Sequence, residues 1–290
     1  MKIIDGKKLQ EEILATVKRE VALLNFQPIF TDVLVGDDIV SAQYVRMKAR
    51  MAESVGIKFH NANFPAHVQT YELIKELKIL NELTNMCGII VQLPLPEHIP
   101  KQDVLDAIDP RLDVDCLGTV ASTKFYESYS GKDDLGFPTA LACLYILDSI
   151  NMDLENKNIV VLGQGMLVGK PVAALLEGRG LSPIVVRSKT PNKEKILKEA
   201  DVIISGIGKG KYLTGEMIKK GAVVIDAGTS ESSGGVVGDV DLESMKDVAG
   251  YVSPVPGGVG PVTVAILLNN VLTVAKSLGK ARDDSTESKI

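Results

Sequence analysis

Apolar residues recur along this chain in two alternating rhythms. Spacings of three and four residues predict helices over residues 7–24, 41–55, 71–83 and 102–108, and short apolar runs predict strands over 29–35, 57–64 and 88–92. Strand, helix and strand in succession make the βαβ unit, so a parallel sheet with right-handed crossovers is expected. Residues 109–137 break the rhythm with Pro110, Gly118, the run Tyr126-Glu127-Ser128-Tyr129-Ser130 and Gly131-Lys132-Asp133-Asp134, and read as a linker or an active-site loop. Beyond them the alternation resumes, with helices over 139–150 and 168–177 and strands over 158–162, 183–186, 202–205 and 222–227. A glycine-rich turn at Ser233-Gly234-Gly235 and a closing helix over 261–277 follow, and the polar tail 282–289 is expected to fray.

The length of 290 residues suits two domains. Aromatic residues are only 4% of the chain and Trp is absent, so the core must be built from Ile, Val, Leu and Ala, as in parallel sheets covered by helices. That scarcity argues against an aromatic platform for single-stranded nucleic acid. A formal net charge of -5 gives no field that would draw the chain to nucleic acid or to an anionic membrane, and a small-molecule partner fits better. Cys87, Cys116 and Cys143 are far apart, as are His60, His67 and His98, so neither a disulfide framework nor a metal site is suggested. Met1-Lys2-Ile3-Ile4-Asp5-Gly6 leads straight into a helix without a secretory pattern, and the most apolar stretch, 262–275, is shorter than the roughly 20 residues that span a bilayer. A soluble, cytoplasmic protein is expected.

Two constellations carry chemistry. Ile159-Val160-Val161-Leu162 runs into Gly163-Gln164-Gly165-Met166-Leu167-Val168-Gly169-Lys170-Pro171, a strand, a glycine turn and a helix start. Bare glycine backbone and the free N–H groups of a helix N-terminus can hold a pyrophosphate, although Gly-x-Gly-x-x-x-Gly is one residue longer than the usual dinucleotide spacing and a plain tight turn would look alike. The next strand ends in Arg187-Ser188-Lys189-Thr190, where an NAD site would carry a carboxylate. Cations and hydroxyls there suit the 2′-phosphate of NADP. Tyr44 and Lys48 lie four apart on a predicted helix and share a face. A lysine whose proton affinity is tuned by partial burial can move protons, yet such pairs are more often a packing residue and a solvated charge. Short-chain dehydrogenases carry a similar pair, but after the cofactor loop and not before it.

Further strings stand in one order: Ile4-Asp5-Gly6, Ser41-x-x-Tyr44-x-x-x-Lys48, Val91-Gln92-Leu93-Pro94-Leu95-Pro96, Asp113-Val114-Asp115, the Gly163 to Pro171 loop, Gly238-Asp239-Val240-Asp241 and Pro254-Val255-Pro256-Gly257-Gly258-Val259-Gly260-Pro261. This set closely resembles the bifunctional methylenetetrahydrofolate dehydrogenase/methenyltetrahydrofolate cyclohydrolase family, from Ile4 to about Ala275. The resemblance implies an α/β, two-domain molecule, with a catalytic folate-binding domain over 1–137 completed by a C-terminal helix over 263–290, a Rossmann-like NADP-binding domain over 138–262, and an active-site cleft between them. It implies a homodimer acting in one-carbon metabolism, including supply to purine biosynthesis.

By resemblance, Lys48 is the catalytic lysine, Tyr44 the ring that stacks on folate and helps hold that lysine, Gln92 the amide that contacts lysine and substrate, and Asp115 the carboxylate that pairs with the pterin edge. Pro256, Gly257, Gly258 and Pro261 match the substrate-side loop, while Gly163, Gln164, Gly165, Gly169, Arg187 and Ser188 match the cofactor site. Three departures stand out. Cys116-Leu117-Gly118-Thr119 replaces the glycine that normally follows Asp115, Phe137-Pro138-Thr139-Ala140 keeps only the Thr of a Pro-Cys-Thr-Pro string, and Gln164-Gly165 replaces Arg-Ser. Without that arginine, NADP selectivity rests on Arg187 and Ser188 or relaxes towards NAD. Two other readings stay open: a two-domain NADP dehydrogenase of shikimate dehydrogenase type, and a folate- or nucleotide-binding protein that has lost catalysis.

Overall fold

The computed structural model describes residues 1–131, 133–232 and 235–287, with backbone alone for 231, 232 and 282–287. The chain forms two compact units, one of residues 1–11 and 139–266 and one of residues 12–138 and 267–290. Both are built on parallel sheets, as the alternation predicts.

The unit of residues 12–138 and 267–290 is centred on three strands in the order Lys58–Phe64, Ile29–Val35, Met86–Val91, all parallel. The central strand is apolar but for Thr31 and Asp32, and both of these are buried. Helix Ile39–Ser54 begins where Asp38 accepts a hydrogen bond from the Ser41 backbone N–H at 2.6 Å, satisfying one of the free donors of the first turn. It buries Ser41, Val45, Lys48 and Ala52, one stripe of the helix, so Lys48 occupies a core-facing position.

One prediction fails in this unit. Residues 119–128 lie in the stretch that reads as a loop, yet Thr119–Ser128 is a helix that buries Ala121 and Phe125. Its start is capped from a distance: the Asp106 carboxylate accepts from the Thr119 backbone N–H at 2.6 Å and from its hydroxyl at 2.9 Å. Lys132, which belongs to the same sequence reading, lies outside the described residues.

The other unit carries six parallel strands in the order Lys2–Ile3, Tyr251–Val252, Val223–Asp226, Val202–Ser205, Ile159–Leu162, Ile184–Val186. The first two are too short for any periodicity to reveal, and the seven-residue helix Lys193–Glu199, with Leu197 its buried residue, escapes detection for the same reason. The strands Ser230–Ser232 and Gly235–Val237 pair antiparallel, while Ser233 and Gly234 of the expected turn lie outside the described residues.

The closing helix is longer than predicted, running over Val259–Glu287. The expected frayed tail is therefore helical through residue 287, because strong helix formers such as Lys280 and Ala281 continue the pattern past Gly279; 288 and 289 lie outside the described residues. Residues 259–281 are long and apolar enough to cross a membrane, which corrects the shorter sequence estimate, but more than half of that apolar window is buried in the protein. Within the unit of residues 12–138 and 267–290, Asn270 on this helix donates to the carbonyls of Val114 at 2.9 Å and Gly136 at 2.8 Å. The first of these bonds holds the segment between Asp113 and Asp115, and the second ties it to Gly136 through the same side chain.

Candidate active site

Lys48 is 5% exposed, and its ammonium has two partners. Nζ lies 2.6 Å from Asp32 Oδ2 and donates to Gln92 Oε1 at 2.8 Å. Three elements converge here: the helix Ile39–Ser54 brings the lysine, the central strand brings Asp32, and Gln92 follows the strand Met86–Val91. Gln92 is itself oriented, since its Nε2 donates to the Leu93 carbonyl at 3.0 Å. Burial pushes the Asp32 carboxyl above its ordinary range, and the Lys48 charge opposes that push.

Asp113 and Asp115 complete the cluster. Asp113 is buried beside the strand Met86–Val91, bridging to Ile89, and its Oδ2 accepts from the Gly118 N–H at 2.7 Å. Burial raises its carboxyl despite the neighbouring N–H groups of the turn. Asp115 is half-buried. Desolvation pushes its carboxyl up to about 7, with the Lys48 charge lowering it and the charges of Asp113 and Asp32 raising it further. Asp115 therefore interacts with three charged groups, Lys48, Asp113 and Asp32. The turn after Asp115 passes through Cys116 at φ 58, a left-handed conformation that glycine adopts without strain, so cysteine here carries a steric cost. Burial pushes the Cys116 thiol well above its usual range, which keeps it un-ionised and unreactive.

Tyr44 sits one turn before Lys48, 38% exposed, with its hydroxyl raised by desolvation. The expectation that Tyr44 holds the lysine has no hydrogen bond behind it among the described residues; Asp32 and Gln92 do the holding. Sequence reasoning missed Asp32 and gave Asp113 no role. The available signal was Asp32 itself, a lone carboxylate in the run Ile29–Val35, which must find a cation when that strand is buried.

The cofactor candidates belong to the other unit. Gly163 has φ +105, and a Cβ there would stand 2.9 Å from the Gly206 carbonyl oxygen. A Cβ on Gly169 would stand 2.3 Å from the Gly163 carbonyl oxygen, so only glycine lets this loop close at the start of the helix Gly169–Gly178. Gln164 and Gly165 are exposed on the loop. Arg187 and Ser188 are exposed in a turn closed by the Arg187 N–H donating to the Thr190 hydroxyl at 2.8 Å. A glycine loop at a helix start and an exposed guanidinium after the next strand fit a dinucleotide with a 2′-phosphate.

Pro256, Gly257, Gly258 and Pro261 also lie in this unit, against the chain's own beginning. The Gly6 N–H donates to the Gly257 carbonyl at 3.0 Å, and Gln10 donates to the Pro261 carbonyl at 2.9 Å. A Cβ on Gly6 would fall 1.9 Å from the Gly258 oxygen, so only glycine fits at position 6 against the proline-glycine string. Gly257 itself has φ +104.

Residues 4–115 match the family model for the tetrahydrofolate dehydrogenase/cyclohydrolase catalytic domain, and residues 138–278 match that for the same family's NAD(P)-binding domain. The chain belongs to the tetrahydrofolate dehydrogenase/cyclohydrolase family. The bifunctional protein FolD of Nautilia profundicola is 38% identical over 284 residues, covering 97% of this chain and 99% of that one. The solved structure of Trypanosoma brucei methylenetetrahydrofolate dehydrogenase-cyclohydrolase, complexed with NADP cofactor and inhibitor, has 36% identity and a TM-score of 0.89, covering 95% of this chain and 97% of that one. The shikimate dehydrogenase alternative retains the fold alone: the Thermus thermophilus enzyme is 16% identical with a TM-score of 0.50, covering 86% of this chain and 99% of that one.

Proposed function

We propose that this protein is a bifunctional folate one-carbon enzyme, oxidising 5,10-methylenetetrahydrofolate with NADP and hydrolysing the 5,10-methenyl product to 10-formyltetrahydrofolate. The observation that carries this reading is the buried Lys48 held between Asp32 and Gln92, in a chain of this family. NADP, when bound, supplies the hydride acceptor. Gly163, Gln164, Gly165 and Gly169 offer backbone N–H groups to the pyrophosphate, and Arg187 with Ser188 takes the 2′-phosphate, with NAD the weaker alternative.

Loss of hydride leaves a methenyl cation, to which water adds with release of a proton. Lys48, steered by Gln92, manages the proton transfers that open the ring. Tyr44 gives the pterin a ring to lie against, Asp115 pairs with its polar edge, and Pro256, Gly257, Gly258 and Pro261 offer close-approaching backbone. Because the Asp115 carboxyl lies at about 7, turnover is expected to change with pH near neutrality.

Residues 1–137 with 263–290 are assigned to folate and catalysis and 138–262 to NADP, although residues 1–11 and 263–266 pack in the cofactor unit and residue 138 in the other. A homodimer in the cytoplasm, feeding one-carbon units to purine biosynthesis, is the setting the resemblance supports. The test mixes purified protein with methylenetetrahydrofolate and either NADP or NAD, following reduced cofactor together with the rise and decay of methenyl absorbance. Formation of reduced cofactor followed by accelerated methenyl decay is expected; no reduced cofactor with either nucleotide refutes the dehydrogenase, and decay at the spontaneous rate refutes the cyclohydrolase.

A further inference from the structure

Asp32 occupies the middle strand of the three-stranded sheet, between Asn61 of one neighbour and Ile90 of the other. Its side chain is fully buried, and that of Lys48 is 6% exposed. Taking both charges out of water is costly, and a well-packed apolar residue in place of a buried ion pair is often at least as stabilising. The fold alone therefore does not account for a carboxylate here. Oδ2 meets Lys48 at 2.6 Å, whereas Oδ1 is buried with no hydrogen-bond partner among the described residues. A carboxylate kept in the core with one oxygen unsatisfied is held for what it does to its neighbour.

The neighbour faces an electrostatic problem. On the functional reading above, on which this inference rests, the site must accept a methenyl cation, and a bare buried ammonium would repel it strongly in a low-dielectric setting. Asp32 makes the Lys48 pair neutral as a unit. The cation then meets whatever negative charge Asp113 and Asp115 carry, with Gln92 and the Tyr44 ring as uncharged company.

We propose that Asp32 is a positioning residue for the cyclohydrolase reaction, anchoring the Lys48 ammonium against Gln92 and cancelling its charge so that a cationic one-carbon folate can be bound beside it. Asp32 acts through Lys48 and touches no reacting atom.

The experiment compares full-length wild type with Asp32→Asn and Asp32→Glu, measuring kcat and KM for methenyl hydrolysis across pH, and KM for NADP. Asp32→Asn is expected to lower kcat about tenfold or more while leaving KM for NADP unchanged. The pH limb belonging to Asp115 should move to lower pH, because a negative charge that raises that carboxyl is gone and more of the Lys48 charge is left to act on it. Asp32→Glu should recover part of both effects. In a Lys48→Met background, Asp32→Asn should add nothing further to the loss.

A purely structural Asp32 would lower thermal stability without moving kcat or the limb, and that result overturns the proposal, as does a full additional loss in the Lys48→Met background. If Asp32→Asn does not fold, Asp32→Leu, apolar and of suitable size for the strand, is read in the same way. An inactive wild type overturns the functional reading and this inference with it; an active wild type with an unaffected Asp32→Asn overturns the inference alone.

Discussion

Each unit buries a pair of aspartates, and the two pairs are treated in opposite ways. In the cofactor unit, Asp226 Oδ1 accepts from the N–H groups of Gly228 and Asp239, and its Oδ2 accepts from Val240. Asp239 Oδ2 accepts from the Ser205 hydroxyl and the Ile207 N–H, and Oδ1 from the Lys209 N–H. Every carboxylate oxygen is satisfied, mostly by backbone, and the loops after two strands are thereby tied together. In the catalytic unit, Asp32 and Asp113 each keep one buried oxygen with no hydrogen-bond partner among the described residues. Perturbed proton affinity does not separate the two cases, since burial pushes Asp226 to about 6 and raises the carboxyls of Asp32 and Asp113 as well. Saturation does. A fully bonded carboxylate is scaffold, while a buried one left partly unsatisfied beside a lysine is a site held ready for a ligand.

The largest effect should come from breaking the unsaturated cluster. Lys48→Met is expected to slow methenyl hydrolysis by about a thousandfold and, by leaving Asp32 buried without its cation, to cost about 3–5 kcal/mol of stability. Chemical denaturation should show most of that stability return in the double variant Lys48→Met with Asp32→Leu, whereas activity stays lost. On the saturated side, Asp239→Ala orphans the Ile207 and Lys209 N–H groups and should cost about 3 kcal/mol in denaturant unfolding, while kcat for hydrolysis by the folded protein stays close to wild type. An equal loss of hydrolysis in both variants would erase the distinction between scaffold and site.

Arg187→Ala should raise KM for NADP about tenfold with little change for NAD, and equal changes would remove the 2′-phosphate assignment. A last effect is a pH dependence. The Asp115 carboxyl lies at about 7 in the folded protein against an ordinary 3.8, so the folded state holds a proton that the unfolded chain releases. Its contribution to stability is complete below the unfolded value and is lost as pH rises through about 7. Asp115→Asn should therefore gain thermal stability relative to wild type between pH 5 and pH 8, and a constant difference across that range would contradict the assignment.

Much of this molecule is legible in the sequence because it is periodic or stereotyped. The strands at 29–35 and 202–205 match their predicted spans to the residue, and the Gly163 to Gly169 loop reads correctly because its glycines are required by close backbone contacts. What escapes is set by distant partners. The helix Thr119–Ser128 is capped by Asp106, which no local pattern announces, and the two-residue strands Lys2–Ile3 and Tyr251–Val252 exist only through their pairing with each other and with Val223–Asp226. Lys48 is recognisable from its spacing to Tyr44, but its true partner lies sixteen residues earlier on a strand. Tyr44, the ring singled out in a chain poor in aromatics, is partly exposed and makes no hydrogen bond to the lysine among the described residues.

The central claim is that Lys48, held by Asp32 and Gln92, performs the second of two reactions on one folate. The most direct measurement gives Lys48→Met methylenetetrahydrofolate and NADP and follows reduced cofactor and methenyl absorbance together. The account predicts that reduced cofactor still forms and that methenyl accumulates, decaying only at the spontaneous rate. Methenyl decay at the wild-type rate would contradict it.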